Sequence, residues 1–169
     1  MAGQLYFDPR SLTQAKRLLV PPLAVGHLEQ VQHEVRFAPD PKGPFSIWEW
    51  PSRVRTYLAG ADISEGLPDR ADQKTSRTSI DLICRESGQQ AAQVHGMLDP
   101  QAAADALFLL ARYYRWPWLG VEANGPGLAT LVLLDQLGYP YLYRTKRLGQ
   151  VGQPEMEKLG WVTDAHTRP

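Results

Sequence analysis

The chain has 169 residues and a mass of 19.0 kDa, 43% of them apolar and 21% charged. That suffices for one domain with a core and is too apolar for a disordered tail. Lys plus Arg and Asp plus Glu both number 18, so the formal net charge is zero; this excludes a histone-like basic binder and an acidic decoy, but not a local basic face. A single cysteine, Cys84, excludes an internal disulfide and a cysteine-rich zinc site, and suits a reducing compartment. Met1–Val20 has no signal-peptide-like apolar block, and no apolar run approaches the roughly 20 residues of a membrane-spanning helix. A soluble intracellular protein is expected.

Residues 1–52 carry Pro9, Pro21, Pro22, Pro39, Pro41, Pro44 and Pro51. They predict an irregular N-terminal arm packed on the domain that comes after it, with one short helix around Ser11–Leu19 capped by Ser11. Phe45–Trp50 alternates and predicts a short strand.

The dense part begins at residue 53, and the main domain is expected over 53–169. Val54–Ala61 predicts a strand with Tyr57, Ala59 and Ala61 on one face. A polar loop runs from Asp62 to about Arg77. Thr78–Cys84 is a β-branched strand, Glu86-Ser-Gly88 a tight turn, and Gln89–His95 a third strand closing an antiparallel meander. Asp99-Pro100 is a helix start, with Asp as N-cap and Pro in the first turn. Ala103, Leu107, Leu110, Ala111 and Tyr114 then recur at helical spacing, so Pro100–Arg115 is expected to lay an apolar stripe on the sheet. Trp118–Glu122 reads as a buried strand parallel to the first. Gly125-Pro126-Gly127 opens a second helix over Leu128–Leu137, Gly138 caps it, and Tyr139–Tyr143 is a fifth strand. The predicted order is β-β-β-α-β-α-β, an α/β mixed sheet with helices packed on it. Residues 146–169 predict a loop or hairpin with little core.

Two acids stand at strand ends: Asp62 in Gly60-Ala-Asp-Ile-Ser-Glu-Gly66, and Glu122 in Val121-Glu-Ala-Asn-Gly-Pro-Gly127. If these ends are adjacent, the carboxylates converge on a hard divalent cation such as Mg²⁺ or Mn²⁺, which prefers oxygen ligands. Paired ions of this kind drive phosphodiester hydrolysis. Gly60, Ala61, Ala123 and Gly125 flank the acids and leave room for a phosphate backbone. On spacing alone, two solvated strand-end acids are the competing reading. An acid on the first strand of a meander and another at the tip of the fourth is the arrangement of RNase H-like nucleases.

Four ordered blocks carry a closer resemblance: Tyr57-Leu-Ala-Gly-Ala-Asp-Ile-Ser-Glu-Gly66, Gly120-Val-Glu-Ala-Asn-Gly-Pro-Gly127, Leu137-Gly-Tyr-Pro-Tyr-Leu-Tyr143, and Gly160-Trp-Val-Thr163 with Thr167-Arg-Pro169. Tyr6-Phe7 and Ile47-Trp48-Glu49 precede them. From about residue 5 to its end the chain resembles the RNase H-like nuclease domain of tailed-bacteriophage terminase large subunits. The resemblance implies a metal-dependent endonuclease that cuts concatemeric double-stranded viral DNA during genome packaging, with Asp62 and Glu122 as catalytic, metal-binding acids and Mg²⁺ or Mn²⁺ in a two-ion site. It further implies a terminase ATPase domain, a small terminase subunit and a portal as partners, no membrane, and the cytoplasm of a bacterial host, phage or prophage encoded. The family's third acid lies on a helix beyond the Gly-Trp-x-Thr block, and no G-x-x-x-x-G-K-[ST] phosphate loop occurs here. The expectation is therefore a C-terminally shortened nuclease domain without its ATPase. Two alternatives stand beside it. One is a catalytically inactive remnant that binds DNA or docks on the motor. The other is another RNase H-like enzyme such as a resolvase or transposase core.

Secondary candidates lie around these acids. Asp72, with Thr75 or Ser76, is a further metal or water ligand candidate in the loop that also holds Asp69; a solvated loop is the plainer reading there, as it is for Glu65. Arg70, Lys74 and Arg77 on that loop, and Arg144, Lys146 and Arg147 after the fifth strand, are candidate phosphate contacts. Of the 18 basic residues 13 are Arg, the better fork for phosphate, an excess that codon usage also produces. Asn124 and Gly125 offer helix-start amides for an anion or a simple cap. His27, His33, His95 and His166 show no metal spacing, with His166 a remote late-ligand candidate. Cys84 reads as a buried thiol. Tyr113, Tyr114, Trp116 and Trp118 read as core rather than as a base-stacking platform.

Overall fold

The computed structural model describes residues 8–66, 76–147 and 156–163. Helix α1 (Pro9–Arg17) is the first described element. Its N-cap is Asp8, whose Oδ2 accepts from the Ser11 amide at 2.9 Å, so the cap lies three residues before the predicted Ser11. That amide bond, more than anything else, holds the Asp8 carboxyl below its usual range.

The next segment is not the irregular arm predicted from its prolines. Strands β1 (Ala24–Val31) and β2 (Glu34–Pro39) form an antiparallel hairpin, and β3 (Phe45–Ile47) pairs with β1. Six of the seven prolines of the zone stand outside these strands, and Pro39 closes β2, where no ladder N–H is needed. The hairpin turn is Gln32-His33, with Gln32 at φ +56°; without Gly or Asn there, it carries no turn signature. Beyond the hairpin, β3 joins the main sheet by pairing with β6 (Gln90–Gly96).

β4 (Tyr57–Asp62), β5 (Thr78–Cys84) and β6 are the predicted meander. α2 (Pro100–Tyr113) begins at Asp99, whose Oδ1 accepts from the Ala102 amide at 2.8 Å. β7 (Trp118–Val121) runs parallel to β4, as expected. α3 (Pro126–Gln136) ends at Leu137, with Gly138 at φ +76° closing its last turn. The sheet order is β2-β1-β3-β6-β5-β4-β7.

The predicted fifth strand is reduced to one bridge, Leu119 to Leu142, framed by Leu119 N to Tyr141 O and Tyr143 N to Leu119 O. Pro140 offers no N–H for a longer ladder. The chain goes on to β8 (Arg144–Arg147), which pairs antiparallel with β9 (Met156–Leu159), so the described part of the tail is the strand pair of a β8–β9 hairpin.

Period-two alternation gives the sheet two unlike faces. One carries Tyr57, Ala59, Ala61, Ile80, Leu82, Cys84, Leu119 and Val121. These residues are buried with Leu107, Leu110 and Ala111 of α2 and Leu131 and Leu134 of α3. Tyr114 caps this core, its hydroxyl donating to Glu49 O at 2.7 Å and its ring edge-on to Tyr57. Arg112 ties α2 to the β1–β2 turn through Gln30 Oε1 and His33 O. Among the described residues, every buried side-chain polar atom has a partner. No described helix is long and apolar enough to cross a membrane. The other face, bearing Asp62, Ser79, Asp81, Gln93, Trp118 and Gly120, has no described helix on it.

Candidate active site

Because β4 and β7 are parallel and in register from Leu58–Trp118 to Ala61–Val121, Asp62 and Glu122 emerge at the same carboxyl end of neighbouring strands. The Glu122 amide donates to Ala61 O at 3.3 Å and extends the pairing by one residue. Adjacent strands lie about 4.8 Å apart, which sets the scale of the acid pair. Asp62 is exposed and Glu122 half-buried. They line a shallow depression of about 300 Å³ with Gly60, Ser79, Asp81 and Trp161.

Each acid is fixed by the residues on its C-terminal side. Beyond Asp62 the chain turns inward at Ile63 and Ser64. The Thr78 hydroxyl accepts from the Ser64 amide at 3.0 Å and donates to Leu98 O at 2.9 Å, a buried knot that ties the end of β4 to the start of β5. Beyond Glu122, α3 packs so closely that a Cβ on Gly127 would collide with Glu122 O. Only glycine allows that approach. Asn124 Nδ2 donates to Glu122 Oε1 at 2.5 Å, so the Asn124 side chain orients the acid instead of capping the helix. Gly125, at φ +49°, is the N-cap residue, and no side chain caps α3.

The β8–β9 hairpin is rooted on the same spot. Glu122 bridges to Trp161, whose carbonyl accepts from the Ala123 amide at 2.6 Å. Arg144 and Lys146 lie on this hairpin, paired with Asp135 at 2.8 Å and Glu157 at 3.4 Å. Arg77 is exposed at the foot of β5. Asp69, Arg70, Asp72, Lys74, Thr75 and His166 lie outside the described residues, as does the side chain of Arg147. Cys84 is fully buried, as expected, with Arg55 donating to its Sγ at 3.2 Å.

Asp81, which the sequence does not single out, belongs beside this site. It faces Gly60 across the β4–β5 ladder. Oδ1 accepts from Gln90 Nε2 and Gln93 Nε2, both at 2.8 Å, and Oδ2 accepts from the Ser79 hydroxyl at 3.1 Å. The alternation Thr78-Ser-Ile-Asp-Leu carries the signal, since it puts Ser79 and Asp81 opposite the core. Trp118 also departs from its predicted core role. It is 55% exposed on the open face, whereas Tyr114 is buried and Trp116 packs edge-on between Phe108 and Tyr139.

The donor set suits a hard divalent cation: carboxylate oxygens, open to solvent, with no ion-pair partner among the described residues. Among the described residues, however, no three His, Cys, Asp or Glu side chains gather closely enough to hold a metal. Asp62, Asp81 and Glu122 line the same depression without forming such a group.

No protein-family model and no curated protein matches the chain. Solved structures do. Crystal structures of the large terminase nuclease from thermophilic phage G20c, with bound cobalt and with bound magnesium, each superpose with a TM-score of 0.50 at 17% identity. Each comparison covers 70% of this chain and 53% of the other, so the chain spans about half the length of those structures. The fold is the RNase H-like α/β fold of those structures.

Proposed function

We propose that this terminase nuclease-like domain is a metal-dependent endodeoxyribonuclease acting on double-stranded viral DNA during packaging, alongside a terminase ATPase, a small subunit and a portal in the host cytoplasm. One observation carries the reading: Asp62 and Glu122 leave parallel neighbouring strands at the same end of an RNase H-like sheet.

Asp62 and Glu122 would hold the divalent ions, Mg²⁺ or Mn²⁺, which when bound activate water and neutralise the leaving oxygen. The chain's own residues supply position and access. Asn124 occupies one oxygen of Glu122 and leaves the other for a further ligand. The Ser64–Thr78 knot fixes the backbone from which Asp62 projects. Gly60, with nothing within 4 Å of where its Cβ would stand, keeps the approach open for a sugar-phosphate backbone. Asp72 is a further candidate ligand. Arg70, Lys74, Arg77, Arg144, Lys146 and Arg147 are the candidate phosphate contacts, Arg144 and Lys146 through cations that also serve Asp135 and Glu157 of their own chain.

Incubating the chain with supercoiled plasmid and Mn²⁺ tests this. Nicking and linearisation are expected, abolished by Asp62→Asn and by EDTA. No cutting by the wild type sinks the nuclease reading and leaves the inactive DNA-binding or motor-docking module, for which salt-sensitive duplex binding is expected. Cutting unchanged by Asp62→Asn sinks the site.

A further inference from the structure

An apolar strip adjoins the acid depression on the open face. A second shallow depression, about 350 Å³, is lined by Leu58, Trp118, Gly120, Tyr143 and Trp161, with no charged side chain among its described lining residues. Trp118 and Tyr141 lie 5.2 Å apart at 34°, a tilted pair with both rings about half exposed. Tyr143 and Trp161, at 6.4 Å and 71°, close the opposite side. The floor is Gly120, where a Cβ would stand 2.7 Å from Trp161 Cζ3. Trp161 lines both depressions, and they meet over Gly60 and Gly120, which face each other across β4 and β7. From Leu58–Trp118 to Asp62–Glu122 is four residues on each strand, about 13 Å.

We propose that this strip binds unpaired nucleobases of the strand whose phosphodiester lies at Asp62 and Glu122, so that the substrate is locally single-stranded beside the cut. The proposal rests on the nuclease reading and narrows its substrate. With divalent ions held by Asp62 and Glu122, as the nuclease reading requires, an occupant spanning both depressions carries an anionic group at one end and a flat apolar group about 13 Å away. A nucleic-acid strand alternates these two chemistries. Exposed indole and phenol faces stack on any base. Paired duplex hides its base faces, so only an extruded or frayed base reaches Trp118.

The test is fluorescence anisotropy of the full chain with Ca²⁺ present, using a labelled 12-nucleotide oligothymidylate and a blunt 12-base-pair duplex. Trp118→Ala, at an exposed position, is expected to weaken oligothymidylate binding roughly tenfold to a hundredfold, to leave duplex binding within twofold, and to be largely rescued by Trp118→Phe. Equal effects on both probes, or no oligothymidylate binding by the wild type, overturn the proposal. So does a dimer in sedimentation that Trp118→Ala dissociates, which gives the strip to a second copy. The nuclease reading is separated by plasmid cutting. Trp118-dependent oligothymidylate binding without cutting keeps the strip and overturns the nuclease. Cutting with Trp118-independent binding overturns the strip alone.

Discussion

The two faces of one sheet divide the labour of this molecule. Leu82 and Ile83 are consecutive in β5, yet Leu82 is fully buried beneath the helices and Ile83 is 42% exposed on the other side. The covered face is aliphatic and aromatic and leaves no buried polar side-chain atom unpartnered among the described residues. The open face holds Asp62, Asp81, Glu122, two floor glycines and the exposed tryptophans. Period-two alternation thus lets a single strand carry the core and the candidate site side by side, with little interference between them.

Substitutions can break or sharpen that division. The largest effect is expected from Asp62→Asn in the plasmid assay, a loss of cutting of about a thousandfold, or about 4 kcal/mol, while the thermal midpoint stays put. A midpoint that falls with activity would mean that the open face also holds the fold. Leu82→Ala on the covered face is expected to cost about 3 kcal/mol in urea unfolding. Gly127→Ala couples the two faces: its Cβ cannot coexist with Glu122 O, so a loss of about 2 kcal/mol from overpacking should accompany a drop in cutting through the displaced Glu122.

Tyr57 gives a pH-dependent version. Burial, and then the hydrogen bond its hydroxyl donates to Glu49, push its pKa up to about 12 from 10.0. The folded state favours the protonated phenol, so this stabilisation is present in full below pH 10 and is lost as pH rises from 10 to about 12. Tyr57→Phe should remove about 1 kcal/mol at neutral pH and flatten the alkaline limb of stability against pH. The smallest effect is expected for Ile83→Ala, within about 0.5 kcal/mol by the same urea titration. A cost equal to that of Leu82→Ala would show that something covers the open face.

The same alternation decides how much is legible in the sequence. Tyr57, Ala59 and Ala61 announce the core face of β4, and by elimination the open face that leads to Asp62. Asp99-Pro100 and Gly138 mark helix ends because caps are local chemistry. The β1–β2 hairpin stays hidden because its turn uses Gln32 in the left-handed region, where glycine or asparagine would signal it, and because the prolines around it read as punctuation. Tyr139–Tyr143 resembles a strand by composition, but Pro140 withholds a donor. In the site, Asp62 and Glu122 are legible as strand-end acids. The alternation of β5 turns Asp81 away from the core, but the nearness of Asp81 and Trp118 to the acids is not legible, because register across three strands, not spacing along one, brings them to the same surface.

The pairing of β4 with β7 has a kinetic consequence. It joins residues 60 apart in sequence, Leu58 with Trp118, whereas β1 and β2 close over a two-residue turn. Loop-closure entropy makes such a distant contact slow to form. The β1–β2, β5–β6 and β8–β9 hairpins can all assemble while Asp62 and Glu122 remain far apart. The acid pair comes into being only when the chain on either side of α2 has been drawn together, so in a refolding experiment the recovery of cutting should lag the recovery of β-sheet signal.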